Sequence, residues 1–186
     1  MRFLIIFLLL ITCASCEDDV VVKPHAALRL RFPTPVYSEV KMDCPFVFKQ
    51  NEFAQVSVNK NCGVKVDYPN MKATVFLTYI ETDRTKMDAQ LIEAERLALN
   101  HQPRAINIPQ SQYVNPDKKT YGTFYEINGN AASHGQFHLT DSIKHFVTAA
   151  LYFDTKPHFD SLLPAIEYVR NDMRMMMETM EWRGNK

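Results

Sequence analysis

Val64-Lys65-Val66-Asp67-Tyr68-Pro69-Asn70 opens the stretch that decides the fold class. Val64, Val66 and Tyr68 alternate with Lys65 and Asp67, which is the two-residue period of a strand with one buried face. Pro69-Asn70 then turns the chain. Lys72–Ile80 continues with Thr74-Val75-Phe76-Leu77-Thr78-Tyr79, a β-branched and aromatic run suited to a buried partner strand. The period then changes to helical: Met87, Leu91, Ala94, Leu97 and Ala98 recur at helical spacing from about Lys86 to Asn100. Asp83 or Thr85 is available as cap, and Pro103 lies beyond the end.

Working outward, Phe46-Val47-Phe48 and Ala54–Val58 are short strand candidates before the hairpin, and Ala105–Ile108 is another after the helix. Arg29–Tyr37, with Pro33 and Pro35, reads as extended chain unsuited to the middle of a sheet. Ser111–Lys119 reads as a polar loop around Asn115-Pro116-Asp117. Thr120–Ile127, Gln136–Thr140 and Phe146–Phe153 read as strands, with Asn128-Gly129 as a tight turn between the first two. A last helix is capped by Asp160 or Ser161, takes Pro164 in its first turn, and carries the stripe Ile166, Val169, Met173, Met176 or Met177, and Met180. Met175 and Met177 spread round the cylinder, so this helix is covered on more than one side or meets a partner. Trp182 is expected as a packing plug. The order is β-rich, helix, β-rich, helix, which fits an α+β fold with an antiparallel sheet packed against helices.

The chain has 186 residues, 46% hydrophobic and 23% charged, which excludes a disordered or collagen-like chain. Its 21 basic and 21 acidic residues balance, so there is no excess of Lys and Arg to neutralise a nucleic acid. No nucleotide loop, metal box or nucleophile motif occurs, and no cofactor is expected.

The amino terminus carries an address. Arg2 precedes Phe3-Leu4-Ile5-Ile6-Phe7-Leu8-Leu9-Leu10-Ile11, a run far short of the ~20 residues of a membrane-spanning helix but suited to a secretory signal. Thr12-Cys13-Ala14-Ser15-Cys16 then gives the pattern of a bacterial lipoprotein signal, in which a cysteine is acylated and becomes the first mature residue. Cys16, preceded by Ala14 and Ser15, suits the peptidase better than Cys13, preceded by β-branched Thr12. Residues 1–15 are thus read as signal peptide, 16–28 as an acidic tether beginning Glu17-Asp18-Asp19, and 29–186 as one α+β domain. The alternative is an ordinary secretory signal ending near Ala14. The lipid would hold the protein at a membrane, since two or more acyl chains anchor durably where one does not. Cys44 and Cys62 remain, an even pair in an exported domain and most simply a disulfide; a redox or metal pair is the alternative, but these two do not form a Cys-x-x-Cys to support it.

Candidate chemistry is sparse. His134 and His138 would share a metal on a helix, but on a strand their spacing separates them by about 13 Å. Asp141, Ser142 and His145 supply the residue types of a hydrolase triad without Gly-x-Ser-x-Gly, and Asp141-Ser142 is more simply a turn that satisfies its own backbone. No catalytic residue is assigned. Asn130, Ser133, His134, Gln136 and Phe137 are the candidate partner-docking residues, because polar and small residues there lack an obvious core role. The rival readings are a periplasmic module holding a small apolar ligand between sheet and helices, and a hydrolase using Ser142 or Ser133.

Ordered blocks carry a resemblance. Cys44-Pro45-Phe46-Val47-Phe48, Val66-Asp67-Tyr68-Pro69, Phe76-Leu77-Thr78-Tyr79, Ile127-Asn128-Gly129-Asn130-Ala131-Ala132-Ser133, Gln136-Phe137-His138-Leu139-Thr140-Asp141-Ser142 and Asp160-Ser161-Leu162-Leu163-Pro164 resemble successive blocks of the GldD-type gliding-motility lipoproteins of Bacteroidota. Together the blocks span roughly residues 24–182. The resemblance implies a non-catalytic accessory lipoprotein of the gliding machinery, coupled to type IX secretion and anchored at the cell envelope, expected at the outer membrane, with other machinery proteins as partners. The element order also resembles the PsbP-like α/β/α sandwich, by analogy only.

Overall fold

A computed structural model describes residues 32–156 and 158–184. The signal region, Cys13, Cys16 and the acidic tether lie outside the described residues.

The deciding hairpin forms as its alternation demands. Strand β5 (Val64–Tyr68) pairs antiparallel with β6 (Ala73–Glu81), Val66 opposite Val75 and Tyr68 opposite Ala73. Between them Pro69–Met71 makes one short 3-10 turn, closed by Lys72 in the left-handed region at φ 51°. Helix α1 (Arg84–Leu99) follows, capped by Asp83, whose carboxylate accepts from the N–H groups of Thr85 and Lys86 at 2.9 and 3.2 Å.

The remaining long strands complete one antiparallel sheet: β4 (Gln55–Val58), β8 (Gln110–Asn115), β9 (Thr120–Glu126), β11 (Ser133–Thr140) and β12 (His145–Phe153). Its order is β4-β5-β6-β12-β11-β9-β8. Three small two-stranded sheets flank it: β1 (Tyr37–Glu39) with β3 (Lys49–Asn51), β2 (Phe46–Val47) with β13 (Glu181–Trp182), and β7 (Ala105–Asn107) with β10 (Asn128–Gly129). The expected strand at Phe46–Phe48 is thus shortened to Phe46–Val47, with Phe48 between β2 and β3.

Helix α2 (Phe159–Thr179) and α1 lie on opposite faces of the sheet, and β11 shows this residue by residue. Gly135, Phe137 and Leu139 face α2, where Val169, Met173, Met176 and Met177 complete the main core. Gln136, His138 and Thr140 face the α1 side: Thr140 donates to Met87 Sδ at 3.2 Å, and Gln136 meets His101, just beyond α1. A strand covered on both faces is buried throughout, and every residue of β11 is. The fold is therefore α+β, an antiparallel sheet with a helix against each face. Trp182 packs as expected, stacked on His145 with its Nε1 donating to the Lys119 carbonyl at 3.1 Å, but in β13 and not at the helix end.

Three expectations need correction. Gln110–Asn115 is a strand, not a loop; its polar residues reflect an edge position with solvent on most sides. Asn128-Gly129 makes no tight turn between β9 and β11, because β7 claims it as a pairing partner. Gly129 is still required, at φ 117°, with a Cβ there only 2.8 Å from the Arg104 carbonyl oxygen. Finally, α2 begins at Phe159, which puts Pro164 in the second turn, and neither Asp160 nor Ser161 caps it. The cap comes from elsewhere: Asn130 Oδ1 accepts from the Phe159 N–H at 2.9 Å.

Cys44 and Cys62 form a disulfide across 18 residues of sequence. Closing a loop of that size stabilises the fold by about 3 kcal/mol on the chain-entropy argument. Reduction, or Cys62→Ser, is expected to lower the unfolding free energy by about that amount in a urea titration. An unchanged midpoint would show that the bridge contributes nothing.

Candidate functional site

Two charged residues sit inside the apolar stripe of α2. Arg170, only 1% exposed, reaches under the chain that links β9 to β11. Its Nε donates to the His134 carbonyl at 2.8 Å and its Nη2 to the Ile127 carbonyl at 3.0 Å and Asn128 Oδ1 at 2.9 Å. Nη1 donates to Glu167 at 2.8 Å and lies 3.7 Å from Glu126. Burial lowers the guanidinium pKa, with Glu167 and Glu126 opposing that effect. The planar fork suits such a task, since it satisfies buried carbonyls and a carboxylate together.

Asp172 lies two residues on, also 1% exposed, and faces the amino-terminal chain. Tyr37 Oη donates to Oδ1 at 2.6 Å and Asn51 Nδ2 to Oδ2 at 2.9 Å. Asn51 Nδ2 also donates to Tyr168 Oη, and Tyr168 in turn donates to the Pro33 carbonyl. Burial raises the Asp172 pKa, and the hydrogen bonds from Tyr37 and Asn51 oppose it. The cluster fastens the incoming chain to α2.

The residues expected to dock a partner do not form a protruding face. Ser133, His134, Gln136 and Phe137 are all buried, and only Asn130 is exposed, where it caps α2. They lack a visible core role in sequence because their partners are backbone groups and the two helices. Asn130, His134, Gln136 and Phe137 nevertheless line two adjoining clefts on the sheet. One, of about 400 Å³, lies between α1 and the sheet and is bordered by Gln136, Phe137, His138 and Phe76. The other, of about 370 Å³, is bordered by Asn130, Ala132, His134 and Arg104. Tyr152 lines both.

The triad residues are otherwise engaged. Asp141 Oδ1 accepts from the N–H groups of Ile143, Lys144 and His145 at 2.9, 2.7 and 2.9 Å, closing the β11–β12 turn as expected. Burial acts to raise its pKa, but these backbone donors outweigh it and the net direction is down. His145 Nδ1 meets Tyr79 Oη at 2.8 Å, and the buried Ser133 hydroxyl donates to the Gly135 carbonyl. Ser142 holds the turn at φ 64°. Among the described residues, no hydrogen bond joins a histidine to the hydroxyl of Ser142 or Ser133. The Met-lined cavity of the apolar-ligand rival is not formed by α2 either, whose Met173, Met176 and Met177 are packed into the core.

His134 and His138 are both buried on β11, and burial pushes each down to about 4. In the unfolded chain they titrate near 6.5, so between pH 6.5 and 4 the unfolded state binds more protons and stability falls with pH. The urea midpoint is expected to fall across that window, and His138→Gln should flatten part of the slope. An identical slope in the variant would assign the acid loss to other groups.

The family described as gliding motility lipoprotein GldD matches the chain over residues 17–182. No curated protein matches it. Among the described residues no helix is long and apolar enough to cross a membrane.

Proposed function

We propose, from the premise that this chain belongs to the gliding motility lipoprotein GldD family, that it is a non-catalytic assembly or stability factor of the gliding apparatus and its type IX secretion machinery. Family membership gives the accessory role in gliding motility and the association with the envelope. The match over nearly the whole length supports extending that role to this chain in full. In this reading residues 1–15 are removed, Cys16 carries palmitate and its companion acyl chains in the outer membrane, and residues 16–28 tether a single domain at 29–186. The helix on each face of the sheet supports placing that domain among PsbP-like α/β/α sandwiches.

The docking face is the rim of the cleft beside Asn130, where Ala132 is exposed and the backbone is held rigid by Arg170. Rigid backbone lowers the ordering cost of binding a partner.

Deletion of the gene in the source organism is expected to abolish colony spreading and reduce export through the secretion system. Cys16→Ser should lose palmitate labelling and fail to restore spreading. Normal spreading by a clean deletion strain would end this reading.

A further inference from the structure

The cleft between α1 and the sheet has a chemical character that neither the family nor the core explains. None of the side chains lining it is Asp, Glu, Lys or Arg, in a chain with 23% charged residues. Burial lowers the pKa of both its imidazoles, His101 and His138, so they stay neutral at neutral pH. An ion entering here would lose hydration and meet no charged side chain in the lining. The cleft instead offers two aromatic rings side by side: Phe76 and Tyr152, 45% and 39% exposed, lie edge to face at 6.0 Å.

A wholly apolar ligand fits the rest of the wall no better. Asn100, Gln136, Thr78 and Thr148 border the same space, and covering them with hydrocarbon would strip water from groups left without partners. Gln136 Nε2 donates to His101 Nε2 at 3.0 Å, which fixes the carboxamide across the cleft floor. His138 is 6% exposed, and its Nδ1 has no hydrogen-bond partner among the described residues. The volume of about 400 Å³ lies in the lower part of the range for small-molecule sites.

A neutral ligand with an apolar face and a rim of hydroxyls matches all of these features. We propose that this cleft is a binding site for a neutral saccharide, with a sugar ring packed against the Phe76 and Tyr152 side chains and hydroxyls directed to Gln136 and Asn100. The site is independent of the motility reading, which could fail while this one stands.

The test is calorimetric titration of the full-length lipoprotein, in a detergent without a sugar headgroup. Cellobiose, lactose, mannobiose and chitobiose are the neutral probes, glucuronic acid is the charged one, and a short uncharged peptide rich in Phe and Tyr is the third class. Each is carried to about 20 mM, where even a ligand of about 1 mM affinity saturates. Saturable binding of at least one disaccharide is expected, weakened at least tenfold in Tyr152→Ala and in Phe76→Ala. Both rings are partly exposed, so the variants should melt close to wild type. Four outcomes overturn the proposal: no heat with any disaccharide, binding indifferent to both variants, preference for glucuronic acid, or saturation by the peptide alone, which would make the cleft a protein-docking groove.

Discussion

Arg170→Met is expected to lose about 3 kcal/mol or more of unfolding free energy, although methionine fills similar space on a helix already rich in it. The substitution leaves the buried Ile127 carbonyl without its Arg170 donor, at about 1–3 kcal/mol, and the His134 carbonyl with only the long bond from the Ile127 N–H at 3.3 Å. Glu126 and Glu167 are partly exposed and can turn to water, so they add little to the loss. Arg170→Lys should fall between, because one ammonium cannot reach carbonyls on two sides of a bend as a fork does. Urea unfolding gives the magnitude, and amide exchange should quicken over residues 127–135 before it does elsewhere. A methionine variant within 1 kcal/mol of wild type would show that the bend holds without the guanidinium.

Gly122→Ala should be more damaging still. A Cβ at this position would stand 1.9 Å from the His138 carbonyl oxygen and 2.9 Å from Leu139 Cδ2. The first obstacle is backbone of a strand buried on both faces, so neither partner can swing aside. A loss above about 4 kcal/mol is expected, seen as insoluble or unfolded protein. Gly135→Ala is the control. Its Cβ would meet only Met173 Sδ at 3.4 Å and Arg170 Cγ at 3.5 Å, ordinary packing that flexible side chains absorb. If the two alanines cost the same, the close approach at Gly122 is not what holds β9 to β11.

The elements legible in sequence were those whose information is local. The alternation of Val64, Val66 and Tyr68, the Asp83 cap and the disulfide pair each depend on a few neighbouring residues or on counting. Where a distant group supplies the partner, local pattern misleads. Asn128-Gly129 has the composition of a tight turn but is paired by β7, and the cap of α2 is Asn130, 29 residues upstream. Edge strand β8 reads as loop because solvent, not a core, chose its side chains. Arg170 and Asp172 are legible in the helical period. Arg170 stands four residues after Ile166 and three before Met173, and Asp172 three after Val169 and four before Met176, so the helical period alone puts both on covered faces. Reading that helix as a methionine stripe hid the two polar anchors within it. The docking segment lacks a visible core role in sequence because its grip by Arg170 and its place in the walls of two clefts are made by distant residues, which a single sequence does not display.

The fastening of Tyr37 and Pro33 to α2 has a mechanical consequence. Tension arriving along the amino-terminal chain is delivered through Tyr168 and Asp172 to a 21-residue helix. It does not peel an edge of the seven-stranded sheet, whose outer strands are β4 and β8. The Tyr37–Asp172 fastening and the α1 cleft lie on opposite sides of the sheet, so a pull entering through the first described residues leaves the cleft walls unloaded.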